Sequence, residues 1–582
     1  MCSGPMGRPP ISGSDSPTPG RSDEWEPLLT RSIRFLDLYE LPPGAPVVRL
    51  LNVDYVHVKT EEGGDLYLTR FGLPFLEQLK PTNWYTEDWF PENREKLKGT
   101  STVYRVRTRP VNDRFLTMVV KWCRVGETIP VDTMTLVRFA DGEFNSPFEE
   151  FSLVLEMRNR RHRRLVRTHK PLAIYVPPER LQLWQTGRSR SKMERKKATF
   201  RDVELDIFRQ YILIYEWIKG VSIEEALEAL PLSDKVRKEE ALRMTDRAIQ
   251  ELKEEGYRVL DIKPAHVIVR TRPDGSLMRE RSGKEAYALV DFELLARTPE
   301  YDAFVKAERR SDYFRRQAGR FFTRHLANLP PHLHHINIFG VDYIYGCTES
   351  TFGMVYVVGN DPGLFDYFLP ERWRRTPKTA LSSSRQIYAT TTKDNIRLVW
   401  KVSRVGETPE VPEAVAYGYN SPFEEVAFAV ELYQRGLKTI FPRAIYMTGR
   451  PSDSDDFRPH PSRYLSHQSI IGDDGKSVLR PDHYYLTVWG FWSGPQQEQN
   501  DFAFEKGISV REGFETGLID ENVYVELLQQ KRHHLNGAGV EDLNMKGDHL
   551  LLSRRADNNL LLEKDGLPEV RICNFELMRR LS

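Results

Sequence analysis

At 582 residues, 40% of them apolar and 29% charged, the chain is long enough for several hydrophobic cores of ordinary domain size. Its 84 basic and 83 acidic side chains leave a net charge of +1, which excludes a global field that would draw in DNA or an acidic membrane. The cysteines Cys2, Cys123, Cys347 and Cys573 form no CxxC pair, so neither a zinc site nor a disulfide framework is indicated, and a reducing, cytoplasmic setting is expected.

Residues 1–46 read as a flexible tail and lead-in, rich at first in Pro, Gly and Ser and without the apolar run of a signal peptide. No later stretch reaches the ~18 apolar residues of a spanning helix, so no membrane partner is expected. A small polar turn at Gly99 and Ser101 precedes strands over 102–108 and 115–121. Apolar spacing predicts a helix over 148–157, two buried strands over 173–176 and 211–215, then helices over 223–230 and 238–255, the last closed by Gly256. Dense charge with spaced aromatics predicts a connecting helix over 300–329, stopped by Pro330 and Pro331 within a 300–335 connector that closes the first helical half. Two basic runs, 158–170 and 188–201, the latter holding Lys192, Arg195, Lys196 and Lys197, lack interleaved aromatics for stacking bases. They read as a solvated face or a hairpin insertion, which argues against nucleic acid as a partner.

Self-similarity organises the whole chain. The string NSPFEE occurs at 145–150 and at 420–425. Upstream stand Val119-Val-Lys-Trp-Cys-Arg-Val-Gly-Glu127 and Val399-Trp-Lys-Val-Ser-Arg-Val-Gly-Glu407; downstream, Leu289-Val-Asp-Phe-Glu-Leu294 answers Ile572-Cys-Asn-Phe-Glu-Leu577, and Val53-Asp-Tyr55 answers Val341-Asp-Tyr343. From Lys121 to Lys401, Asn145 to Asn420, Asp291 to Asn574 and Val53 to Val341 the spacings are 280, 275, 283 and 288 residues. Ordered blocks at one long spacing mean two whole domains, 47–299 and 336–582, not a solenoid.

Read in order, the first copy carries a strand lysine (Lys121), a helix glutamate (Glu150), the loop Asp261-Ile-Lys263-Pro before an apolar strand, and an apolar-Asp291-Phe segment. This set resembles the protein-kinase-like superfamily, and the second copy repeats its order. The resemblance implies an α+β fold of two tandem bilobal domains, each a β-rich N-lobe and a reduced α-helical C-lobe. It implies ATP with Mg2+, or Mn2+ in its place, as cofactors. Lys121 would meet the phosphates, with Glu150 as its partner; Glu149 is the alternative and Glu156 a weaker one. Gly99 and Ser101 would lie in the phosphate-covering turn. Asp261 would orient an acceptor hydroxyl and take its proton, Lys263 would steady the moving phosphoryl group, and Asp291 would hold the metal.

Three departures stand out. His266 occupies the place of the family's second metal-ligating asparagine, and reads either as a metal ligand or as a loop-fixing hydrogen-bond partner, since His549 fills the same place in the second copy. Glu293 replaces a glycine, which stiffens the segment and could add a carboxylate near the metal. In the second copy Asn544 and Asn574 stand where Asp261 and Asp291 stand in the first, so charge is lost while shape is kept, as in a pseudokinase; Asp548 could compensate in part. Only six residues follow Glu576, which reads as a trimmed C-lobe without a peptide platform. The expected function is an ATP- and magnesium-dependent phosphotransferase with catalysis in the first domain and a regulatory or structural second domain. The alternatives are a non-catalytic nucleotide-binding scaffold and an enzyme that transfers AMP. The acceptor substrate or protein partner is left open, and the two copies are expected to pack on one another.

Overall fold

Strand-forming segments dominate the first half of each copy because β-branched and aromatic residues recur there with alternating or fully buried patterns. The computed structural model describes residues 42, 45–97, 102–123, 144–159, 166–179, 209–349, 351–373, 376–382, 386–451, 463–495 and 506–581. Gly99, Ser101 and the basic run 188–201 lie outside the described residues, as does almost all of the tail.

In the first copy eight strands form one antiparallel sheet: β1 (Val47–Leu50), β2 (Val53–Lys59), β3 (Asp65–Leu68), β4 (Arg94–Lys96), β5 (Val103–Arg107), β6 (Thr117–Trp122), β7 (Pro171–Val176) and β8 (Ile212–Glu216), in the order 1-2-3-7-8-6-5-4. The fully buried β7 lies in the middle and the exposed β4 at an edge, where its Arg94-Glu-Lys96 sequence blunts the open strand. The second copy repeats this order with eight strands running from His334–Ile338 to His483–Gly490. The likeness reaches single hydrogen bonds. Trp84 Nε1 donates to the Leu79 carbonyl at 3.0 Å, and Trp373 Nε1 to that of Phe368 at 3.1 Å.

After each sheet come two helices, Ile223–Glu228 and Asp234–Glu254 in the first copy, Val510–Glu515 and Glu521–Gly537 in the second. Short strand pairs follow: Tyr257–Val259 with Leu295–Arg297 and Val267–Val269 with Tyr287–Leu289, answered by Val540–Asp542 with Met578–Arg580 and Leu550–Leu552 with Val570–Ile572. Among the described residues no helix is long and apolar enough to cross a membrane, and Cys123, Cys347 and Cys573 are free thiols.

The connecting helix is shorter than its sequence pattern implies. It spans Pro299–Ala318 and ends at Gly319; a Cβ there would meet the Phe322 ring at 3.2 Å, because the chain folds back before the 3-10 turn Thr323–Asn328. Nor does the helix serve the first copy alone. Tyr301 packs on Tyr257 of the first copy, while Tyr313 meets Tyr367 and Phe368 of the second. One hydrophobic cluster accordingly runs from Tyr55, Phe148 and Leu213 of the first copy to Val355, Trp400 and Leu486 of the second. The other face of the second sheet builds a separate core with its own helix Pro422–Gln434, through Tyr343, Phe423 and Val426. Both copies lie within a single compact unit, Leu41–Ser582.

Candidate active site

Lys121 lies on β6 with Val103 on one side and Leu213 on the other, so its side chain leaves the middle of the sheet and is 5% exposed. The helix Pro147–Arg158 approaches it with its first turn closed by a capping box. Ser146 Oγ accepts from the Glu149 amide at 3.2 Å and Glu149 Oε2 accepts from the Ser146 amide at 2.8 Å. Glu149 is therefore committed to the helix end, and the next residue, turned about 100° around the axis, points inward. That residue is Glu150. Its Oε1 stands 3.7 Å from Lys121 Nζ and accepts from the Tyr215 hydroxyl at 2.6 Å. Glu156 is engaged elsewhere, in two hydrogen bonds from Arg297 at 2.9 and 2.6 Å.

Lys121 meets two further carboxylates, Asp291 Oδ1 at 2.7 Å and Glu293 Oε2 at 3.2 Å. Burial acts to lower the lysine's pKa, but Asp291, Glu150 and Glu293 together hold it well above its ordinary value. Burial raises that of Glu150, against the pull of Lys121.

Asp291 follows the strand Tyr287–Leu289, whose pairing with Val267–Val269 brings it beside the loop 261–266. The Val290 amide donates to the His266 carbonyl at 3.1 Å. Asp291 itself has φ +68, a left-handed backbone that costs a non-glycine residue on the order of 1 kcal/mol and is found disproportionately at functional sites. Its Oδ2 is 3.7 Å from His266 Nε2, beyond hydrogen-bonding reach, and His266 Nδ1 is buried without a hydrogen-bond partner. Asp261 Oδ2 accepts from Lys263 Nζ at 2.9 Å, with both side chains partly open to solvent.

The corresponding place in the second copy is arranged differently. Lys401 Nζ stands 2.6 Å from Glu425 Oε2 and 3.2 Å from Glu576 Oε1. Burial acts to lower its pKa, and the two glutamates raise it. Asn574 does not share the left-handed backbone of Asp291. Its Nδ2 lies 2.9 Å from His549 Nε2, its Oδ1 accepts from the Glu576 amide at 3.1 Å, and His549 Nδ1 is 3.0 Å from Asp542 Oδ2. His549 is thus a loop-fixing hydrogen-bond partner in this copy, a geometry His266 does not repeat because Val259 stands where Asp542 would be needed. Asp548 lies on the surface near Arg511 and Ser509, at 3.3 and 3.5 Å.

Two members of the first site carry no sequence signal of their own. Tyr215, which orients Glu150, is one apolar-strand residue among several, and its structural counterpart is Trp489. His169 is buried against the Tyr215 ring, with centroids 3.7 Å apart, and lies 5.4 Å from Phe292. Burial drops its pKa to about 3, which keeps it neutral. Of the basic run 158–170, Arg158 is not on a solvated face but is buried, donating to the Thr168 carbonyl at 2.6 Å.

Among the described residues no group of three or more His, Cys, Asp or Glu side chains is arranged to hold a metal ion unaided. No family model and no curated protein matches the chain. A solved structure described as "Structure of vaccinia related kinase 3" is similar over 45% of this chain and 54% of its own, with 12% identity and a TM-score of 0.19. The chain spans about half the length of that protein. So slight a likeness transfers no activity.

Proposed function

We propose that the first copy is a kinase-like phosphotransfer site, working with ATP and Mg2+ or Mn2+, and that the second copy supports it without chemistry of its own. One observation carries this reading: Lys121 on a strand, Glu150 on a helix and Asp291 on a loop converge on one buried amine from positions far apart in the sequence. Three carboxylates around one lysine leave an excess of negative charge, which favours a divalent cation. Mg2+ is commonly held by one or two carboxylates together with substrate phosphates rather than by an all-protein cage, and Asp291 would supply one such carboxylate.

When bound, the ion would neutralise charge on the phosphates. The chain's own residues have separable tasks. Tyr215 holds Glu150, and Glu150 keeps Lys121 aimed at the site; Lys121 gives a fixed positive charge where phosphate oxygens would lie. Asp261 accepts the proton of the acceptor hydroxyl, with Lys263 beside it as a second positive group.

A second reading rests on a specific observation. Glu293 stands at Lys121 as Glu576 stands at Lys401, so in both copies the lysine is engaged by the segment that follows the metal-binding position. That favours a nucleotide-binding scaffold in which neither copy turns over. Incubation with ATP labelled separately at the alpha and gamma phosphates decides between them. Transfer of the gamma label supports the first reading, transfer of the alpha label indicates AMP transfer, and binding without transfer supports the scaffold.

A further inference from the structure

We propose that the second copy positions the Glu150 helix of the first through a hairpin tip, residues 392–396, with Lys393 as the positioning residue; the inference rests on the phosphotransfer reading above. The tip joins the strands Ile387–Thr391 and Arg397–Val402. It is tight. Asn395 takes φ +58, Thr392 Oγ1 accepts from the amides of Asp394 and Ile396 at 3.3 and 3.2 Å, and the Lys393 amide donates to the Arg372 carbonyl at 2.8 Å.

From this base two side chains reach in different directions. Lys393 pairs with Glu149, the capping residue of the helix whose next residue is Glu150. Asp394, 3% exposed, takes Arg309 Nε at 2.5 Å and Nη2 at 3.3 Å. Arg309 belongs to the helix Pro299–Ala318, which continues directly from the segment bearing Asp291 and Glu293. The tip therefore ties the capped end of the Glu150 helix to the connecting helix Pro299–Ala318. The second copy closes the equivalent end of its own helix internally, with Arg463 donating to Glu424 at 2.8 and 3.0 Å. The equivalent hairpin of the first copy does no such service: residues 112–115 at its tip are exposed.

The test uses the full-length protein with Lys393→Met, which keeps length but removes charge, and Lys393→Arg, which restores charge. Amide hydrogen exchange over Pro147–Arg158 is read against β7 as an internal reference, and kcat and KM for ATP are measured in parallel. We expect Lys393→Met to speed exchange in the first turns of that helix by about fivefold or more, with β7 unchanged, and Lys393→Arg to return it to the parental rate. The kcat should fall with the same pattern, because Glu150 loses its fixed orientation, while KM changes less. Unchanged exchange in the helix, or equal acceleration in helix and β7, would overturn the proposal. The exchange result stands apart from turnover: a parental protein with no turnover would remove the phosphotransfer reading, while exchange would still decide whether Lys393 holds the helix.

Discussion

In the first copy Lys121 stands 2.7 Å from Asp291 and 3.7 Å from Glu150; in the second, where an asparagine replaces the aspartate, Lys401 closes to 2.6 Å from Glu425. The lysines hold the same place in the sheet, but each follows the strongest nearby charge. Once Asn574 is neutral, its amide satisfies itself on His549 and the Glu576 amide, and Asp542 completes a hydrogen-bonded chain that the first copy lacks. Around Asn574 the second site is closed upon its own polar groups, while Glu425 Oε1 stays buried without a hydrogen-bond partner. The first retains a strained aspartate and a histidine nitrogen without a hydrogen-bond partner.

The largest effect is expected where the copies are joined. Arg309, buried and shared between Asp394 and Asp366, would leave both carboxylates to Arg372 as their remaining cation in Arg309→Met. Loss of a buried partner of this kind costs about 3–5 kcal/mol, measurable as an earlier midpoint in chemical denaturation. If the midpoint stays put, the Arg309 ion pairs add nothing to the joining of the copies.

Asp291→Asn gives the first site the residue of the second. Turnover of ATP should fall on the order of 10²-fold or more, with the thermal melt little changed, since the second copy already accommodates an asparagine there. Asn574→Asp in the second copy should restore nothing, because Asn544 still lacks a proton-accepting charge. A fully active Asp291→Asn protein would erase the functional distinction between the copies.

Asp542→Val carries the comparison the other way, giving the second copy the residue found at Val259. His549 Nδ1 would lose its buried acceptor, a change worth about 1–3 kcal/mol in an urea titration. An unaltered midpoint would show that this hydrogen-bonded chain adds nothing to stability.

The smallest effect concerns His169, whose counterpart in the second copy is Ile440. In the fold its pKa is depressed to about 3, whereas the unfolded chain titrates at its ordinary value near 6.5. Below about pH 6.5 the unfolded state therefore takes up the proton first, and stability present at neutral pH is lost as the pH falls toward 3. Between pH 6.5 and 5 this amounts to about 1.5 kcal/mol. Denaturation of parent and His169→Ile at both pH values should show the parent losing that much more than the variant. Parallel losses would mean that His169 is not held neutral.

Much of this was legible in the primary sequence. The repeated NSPFEE, RVGE and Asp/Asn-Phe-Glu blocks reveal the duplication without coordinates, because side chains that meet one backbone frame recur at one spacing whenever the frame is copied. The strands β5 to β8 and the helices Pro147–Arg158, Ile223–Glu228 and Asp234–Glu254 follow from apolar periodicity, a local property, whereas β1 to β4 draw no such reading. The acid-to-amide exchange at 261/544 and 291/574 is a matter of residue type alone. What depends on direction in space was not legible. Glu149 and Glu150 are adjacent acids, and only the capping box, with Lys393 arriving from the other copy, separates helix end from site. The Pro299–Ala318 helix stops well before Pro330 because the fold, not the proline, demands the turn at Gly319. Tyr215 and His169 gain their roles from neighbours distant in the chain, and Arg309 from two aspartates of the other copy. Periodicity and residue type act over a few positions and are written in the sequence; a hydrogen bond or a buried ion pair needs two groups brought within about 3 Å, which only the packed chain decides.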